Sequence, residues 1–309
     1  SISSVNGEEV ARLPNANPIA SLQGKVPGLT VSNGGQAGAN PVVRIRGVNS
    51  TNSASPVYVV DGILQDNIDF LNPADIESID ILRDPSSIAI YGLRGANGVI
   101  AVTLKKGARG RTIINFQSSA GIQRVQDRIA VTDAEGFKRL LNAQLANQGA
   151  QPFDFTNYTA NTNWQDLILR DAFIAQNNIS ISNSGEKSTT HLSIGYTSQD
   201  GVVKYDNFKR YIVRLNEEIR FNDNLKFGGQ ITGFHSSRNP AGASISNALW
   251  ASPVIPVQFD ENTYYSTISL QRIQVGNPVA TLRRNHGNSV NKDYRVVGNL
   301  FAEIKFLRD

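Results

Sequence analysis

From Arg111 onward the chain alternates apolar and polar residues, and with interruptions it does so as far as Phe306. A period of two belongs to β-strands, whose successive side chains point to opposite faces. Ile114, Phe116, Ala120 and Ile122 share one face, with Asn115, Gln117, Ser119 and Gln123 on the other. Residues 178–183 and 191–197 form a pair across Ser184-Gly185-Glu186-Lys187. Tyr211, Val213 and Leu215 alternate with Arg210, Arg214 and Asn216, and Leu225, Phe227 and Ile231 follow the tight turn Asn222-Asp223-Asn224. Tyr294, Val296, Leu300, Ala302, Ile304 and Phe306 oppose Arg295, Asn299, Glu303 and Lys305. The connections alternate as well: 125–176 is long, 184–187 short, 199–207 intermediate, 222–224 short and 237–291 long. Long loops at one rim, tight turns at the other and aromatics near the strand ends (Tyr211, Phe221, Tyr294, Phe306) are the layout of a transmembrane β-barrel. The apolar face is then expected to meet lipid and the polar face the lumen.

Residues 1–107 follow a different pattern. Val42–Ile45, Val57–Val60, Ile79–Leu82 and Val99–Leu104 are short Val- and Ile-rich runs that read as buried strands, as does Leu29–Ser32. Short helices are expected after Asn17-Pro18, Asn72-Pro73 and Asp84-Pro85, each an N-cap residue before a proline that needs no N–H. Gly92 is placed to close the last of these. The result is an α+β unit of ordinary domain size. About six barrel strands follow it, whereas a barrel wide enough to hold a plugged lumen has about 22. The expectation is therefore the N-terminal part of a larger protein, with Ser1 as an interior start.

The segment from Pro41 to Gly107 resembles the plug-domain signature of the SusC/RagA family of TonB-dependent outer-membrane transporters. Tyr58, Val60, Asp61 and Gly62 match a P-x-Y-x-V-D-G strand. Asn72, Pro73, Asp75, Ile76, Glu77, Ser78, Ile79, Leu82 and Asp84 match N-P-x-D-I-E-S-I-x-V-L-K-D-A-S. Ile90, Tyr91, Gly92, Arg94, Ala96, Asn97, Gly98, Val99, Thr103, Lys105, Lys106 and Gly107 match the closing I-Y-G-x-R-A-A-N-G-V-x-x-x-T-K-K-G. Departures are Arg83 for Lys, Pro85 for Ala and Gly95 for Ala. The resemblance implies a plug over residues 1–107 and the first barrel strands over 108–309, with loops 125–176 and 237–291 outside the cell. It implies energised uptake of a glycan or oligopeptide across the bacterial outer membrane. The implied partners are TonB, engaging a box upstream of Ser1, a SusD-like surface lipoprotein as lid, the nutrient and outer-membrane lipid. A passive porin or adhesin shares the strands but needs no lumen-filling domain, and a signal-transducing receptor of the same fold is a further alternative.

The residues marking the signature are Arg44, Arg46, Asp61, Gly62, Asp75, Glu77, Asp84, Tyr91, Gly92, Arg94, Asn97 and Gly98. Arg44 and Arg46 share a strand face and are expected to meet a polar barrel wall. Substrate is expected at loops around Asn33, Gln36, Asn49 and Asn52 in the plug and around Trp250, Tyr264 and Tyr265 in the second long loop, because binding residues concentrate in loops. The glycine-rich stretch 33–40 and the loop 49–55 are candidates for mobile plug segments. In the first long loop, Thr132 and Glu135 predict a capping box ahead of a helix with Phe137, Leu140, Leu141 and Leu145 on one face.

Other chemistries find no support. Thirty basic residues against 26 acidic ones give no nucleic-acid surface, and no apolar run is long enough for a transmembrane helix. With no cysteine there is no disulfide framework or thiol chemistry, and methionine is absent as well. His191, His235 and His286 show no metal-ligand spacing, and no cofactor motif occurs; Asn33–Gly38 lacks the Lys-Ser/Thr of a P-loop. Asp61, Asp66 and Asp69, and Asp75, Glu77 and Asp80, read as caps and surface charges on which nothing converges, so no enzyme is expected.

Overall fold

The computed structural model describes residues 2–306 apart from 13, 46–54, 108–109, 243–244 and 267–274, and its strands fall into three sheets. The largest is antiparallel throughout, in the order β13-β12-β11-β10-β9-β8. Its strands are β8 (Ile113–Gln123), β9 (Ala172–Ser184), β10 (Ser188–Asp200), β11 (Asn207–Asn222), β12 (Leu225–Asn239) and β13 (Asn291–Ile304). These six are the strands the alternation predicts, but several run further; β9 starts at Ala172 and β12 ends at Asn239. A five-stranded sheet takes the order β1-β6-β7-β4-β5, from β1 (Ile2–Asn6), β4 (Val57–Val60), β5 (Ile63–Gln65), β6 (Ile76–Leu82) and β7 (Val99–Leu104). A separate hairpin pairs β2 (Leu29–Ser32) with β3 (Val42–Ile45).

Two strands escape the sequence reading. β1 has a single pairing, antiparallel to β6, and its Ile-Ser-Ser-Val-Asn run is too polar to stand out. β5 is three residues long and follows β4 through a two-residue turn at Asp61-Gly62. Both turn residues have positive φ, 45° and 86°. That is the geometry of a type I′ turn, for which Asp-Gly is a favoured pair. Asp61 Oδ1 also accepts from the Leu104 amide at 3.0 Å, so the turn is tied to β7.

Ile76, Ile79 and Ile81 of β6 and Ile100, Val102 and Leu104 of β7 are buried, together with Ile19, Leu22, Ile68 and Leu71 from the connections. Each such side chain contributes about 1.5–3 kcal/mol by leaving water. Asn17 and Asn72 each cap a 3-10 turn, Pro18–Leu22 and Pro73–Asp75, by accepting from the amide two residues on. Helix α1 (Gly7–Ala11) is capped in the same way by Asn6, and α2 (Pro85–Ile88) begins after Asp84.

Among the described residues, the long connections each hold two helices. The first carries α3 (Ala134–Asn147) and α4 (Trp164–Ile168); the second carries α5 (Ile245–Trp250) and α6 (Pro278–Asn285). The cap of α3 is Asp133, whose carboxylate accepts from the Gly136 amide at 2.9 Å, and not Thr132 as the sequence predicts. Asp is as good an N-cap as Thr, and the helix starts one residue later. The two connections form one layer. Trp164, Ile168 and Leu169 of the first share a core with Ala248, Ala251, Val275 and Leu282 of the second, and Trp164 Nε1 donates to the Ser252 carbonyl at 2.9 Å.

On the large sheet, register places Ser118, Asn177, Tyr196, Tyr211, His235 and Tyr294 in one row of directly opposed outward residues. Tyr211 and Tyr294 flank the His235 ring with interplanar angles of 4° and 17°. The exposed apolar residues do not follow this row. They run from Ile122 to Ile114 on β8, equally on both sides of Ser118, but from Tyr294 only toward Ile304 on β13. A level band crosses strands tilted by about 40° with a drift of about one residue per strand, so the oblique course of the apolar set is the course of a bilayer across a tilted barrel wall. Between the aromatic row and Phe221, ten residues along β11 rise about 33 Å and, tilted, span about 25 Å, the height of an outer-membrane apolar band.

Candidate functional site

The inward face of the large sheet is not uniformly polar. Ile212 and Phe234 are buried in the same core as β6 and β7, with Val297 packed against it, and Phe208 is buried against Ala16 and Ala37. The first domain is thus wedged on the wall, and three tiers of polar contact fasten it.

The tier nearest the long loops holds the glycine-rich stretch 33–40. The Ala37 amide donates to Asp206 Oδ2 at 2.8 Å, the Gly38 amide to Gln199 Oε1 at 3.0 Å, and Arg238 Nη2 to Gln36 Oε1 at 2.9 Å. Gly38 has φ 64°, and a Cβ there would stand 2.2 Å from the Phe208 ring; only glycine allows that approach. Burial raises the Asp206 carboxyl above its ordinary range, while the Ala37 amide, Arg238 and Arg170 pull it back. This stretch, expected to be mobile, is pinned by these hydrogen bonds, and its Gly38 serves close approach to the wall.

In the middle tier, Arg210 of β11 is buried and donates to the carbonyls of Ala16 and Asp69, the latter at 2.8 Å. Arg295 of β13 donates to Asn67 Oδ1 at 3.0 Å and Asp69 Oδ1 at 2.8 Å. The tier nearest the tight turns centres on Asp75, only 1% exposed. Its carboxylate accepts from Ser193 Oγ at 2.5 Å and lies 3.4 Å from His191 Nε2, while Ser182 Oγ meets His191 Nδ1 at 2.8 Å. Asn72 Nδ2 donates to Asn178 Oδ1 at 2.8 Å. Arg214 donates to the Lys105 carbonyl at 3.0 Å, and Glu218 accepts from Lys106 of the wedge and Lys226 of the wall. The expectation that nothing converges on Asp75 is therefore corrected. Its partners sit more than a hundred residues away on β10, and only the seating of the first domain against the wall brings them together.

Most other signature residues build the wedge itself. Asp61 and Gly62 make the hairpin turn, and Gly92 and Gly98 adopt φ of 58° and 96°. Arg94 pairs with Asp66 at 2.8 Å. Tyr91 rests on the cluster of Val57, Val59 and Val99. Asp84 precedes α2, Glu77 is exposed on β6, and Asn97 lies half-buried in the turn before β7. Arg44 is exposed and, among the described residues, makes no hydrogen bond or ion pair with the wall. Arg46, Asn49 and Asn52 lie outside the described residues. Burial pushes the Tyr58 phenol up to about 12, which keeps it neutral beneath the core.

Among the described residues, the candidate substrate residues do not converge. Asn33 accepts from the Gly35 amide at 3.2 Å, and Gln36 is held by Arg238. Trp250 borders a cavity of about 320 Å³ between the two long connections, with Phe137 and Trp164. Tyr264 and Tyr265 belong to the second connection's own fold: Arg283 lies 5.7 Å over the Tyr264 ring, and Tyr265 makes an edge contact with Phe259 at 6.0 Å. No group of three or more metal-ligating side chains occurs among the described residues.

The TonB-dependent receptor plug domain family matches residues 1–99. The chain is 32% identical over 286 residues to the TonB-dependent receptor SusC of Bacteroides thetaiotaomicron, across 86% of this chain and 28% of that protein. It is 32% identical over 309 residues to a TonB-dependent receptor of Formosa agariphila, across 95% of this chain and 31% of that one. It superposes on the RagAB peptide transporter with a TM-score of 0.81 at 26% identity, over 100% of this chain and 39% of that chain. The chain thus spans about three tenths of the length of these curated relatives.

Proposed function

This chain carries the plug and first barrel strands of a SusC/RagA-like TonB-dependent receptor, and from that premise we propose that the whole protein imports a large nutrient across the outer membrane, driven by TonB. Residues 1–107 act as the plug and 108–309 as barrel wall, with the long connections outside the cell. The observation that carries this reading is the wedge itself: an apolar core shared with the wall and polar contacts at three levels fix a folded domain against the wall's inner face, where it obstructs passive diffusion. Passage then requires work on the plug. Unfolding a whole domain costs on the order of 5–15 kcal/mol, whereas opening a local segment costs less. β1 is an edge strand paired only with β6, so a pull transmitted through the N-terminal side of the plug meets an edge strand first.

The cargo is a glycan or an oligopeptide, and a SusD-like lipoprotein covers the outer mouth. SusC and the RagAB peptide transporter, to which the chain is similar, support this class of nutrient. The test compares cells with and without TonB. Labelled nutrient should bind at the surface of both and reach the periplasm only in the first. Undiminished entry without TonB would replace this reading with a porin.

A further inference from the structure

Directly beyond the row Tyr196, Tyr211, His235 and Tyr294, toward the long loops, the next outward row reads Ser198, Lys209, Ser237 and Lys292. Lys209 and Lys292 stand on either side of Ser237, two strand spacings or about 10 Å apart. Both are exposed, and among the described residues neither makes an ion pair. Two carboxylates close to them in the strand order are engaged elsewhere: Asp200 pairs with Arg170 at 3.3 Å, and Asp293 with Arg295 at 2.8 Å. Tyr211 and Tyr294 are the last exposed apolar residues of β11 and β13 toward the long loops, the position at which amphipathic rings sit between hydrocarbon and water. Lys209 and Lys292, each the next outward residue beyond its strand's tyrosine, bring two unneutralised ammonium groups with the Ser237 hydroxyl between them to the depth of lipid headgroups.

We propose that Lys209, Ser237 and Lys292 form a binding site on the outer wall for the phosphorylated headgroup of an outer-leaflet lipid. Each lysine stem is long enough to bring its ammonium over Ser237, so one phosphate is held by two cations and a hydroxyl, while the acyl chains lie along Val213, Val296 and Leu215. His235, between two tyrosine rings and bonded to the Asp293 carbonyl at 3.2 Å, forms the floor of the site. The proposal rests on the long connections being outside the cell.

The test is native mass spectrometry of the full-length protein, exchanged into mild detergent with added lipid A or with lipid A stripped of its phosphates. Wild type should retain lipid A, and Lys209→Gln with Lys292→Gln should lower that retention by about tenfold or more. Both proteins should hold the stripped lipid equally weakly, and Lys187→Gln, at the opposite rim, should behave as wild type. Equal retention of lipid A by wild type and the double variant, or a loss confined to Lys187→Gln, overturns the site. Orientation is checked separately: Glu261→Cys should react with a membrane-impermeant maleimide on whole cells. Absence of labelling there overturns the orientation, and with it this assignment, whatever lipid is retained.

Discussion

The carboxylate of Asp75 meets the imidazole of His191 at 3.4 Å across the boundary between plug and wall, and each side chain is 2% exposed. Ser193 donates to the other carboxylate oxygen at 2.5 Å. Removing the acceptor strands two buried polar groups at once. Asp75→Ala should therefore destabilise the seated plug by about 1–3 kcal/mol, and Ser193→Ala by about 0.5–1.5 kcal/mol. A double-mutant cycle of Asp75→Asn with His191→Gln should show a coupling of about 0.5–3 kcal/mol. Simple additivity in denaturant midpoints would mean that the two residues do not act on each other.

The upper tier makes a prediction with a sign in pH. Burial raises the Asp206 carboxyl in the folded state above its unfolded value. A raised carboxyl binds its proton more tightly when folded, so the stability it carries is fully present below the unfolded value and is lost as pH rises through the folded one. Protection of the Ala37 amide from hydrogen exchange, corrected for the intrinsic rate, should accordingly weaken across that window. Asp206→Asn keeps an acceptor for Ala37 without a buried charge and should flatten the dependence, whereas Asp206→Ala should expose residues 33–40 to exchange at every pH.

Across the wall, Leu300 points outward between Tyr294 and Ile304, and Asn299 points inward. Leu300→Arg should cost about 2–4 kcal/mol in bilayer folding equilibria if its level is the midplane. Asn299→Arg should cost much less. Equal costs would contradict the assignment of faces.

The outer layer depends on Trp164, buried between the two long connections with its indole N–H on the Ser252 carbonyl. Trp164→Ala should cost about 3–5 kcal/mol and open both connections to limited proteolysis, while leaving cleavage within the plug unchanged. Concerted loss of plug protection would mean that the layers are a single cooperative unit.

Much of this architecture is legible from residue order. Alternation identifies the six wall strands, since a half-buried strand repeats every two residues, and Asp61-Gly62 and the Asn-Pro pairs mark turns by local chemistry. What stays hidden is whatever depends on pairing at long range. β1 is too polar and β5 too short to carry a period, and they are strands because β6 and β4 lie beside them. The partners of Asp75 fall on a wall strand where His191 and Ser193 look like any polar inward face. The inward residues Ile212 and Phe234 interrupt the apolar/polar alternation because they meet the plug instead of water. The glycines of 33–40 read as freedom because sequence cannot distinguish a glycine that moves from one that lets a wall come close.

The most direct test of the central claim is to bridge plug and wall. Asn72→Cys with Asn178→Cys places two thiols where the side chains now share a hydrogen bond of 2.8 Å, within reach of a short reducible cross-linker. In the full-length protein in cells with TonB, bridging should abolish entry of labelled nutrient into the periplasm and leave surface binding intact, and reduction should restore entry. Undiminished entry while the bridge is in place would contradict the claim that the plug must part from this wall for cargo to pass.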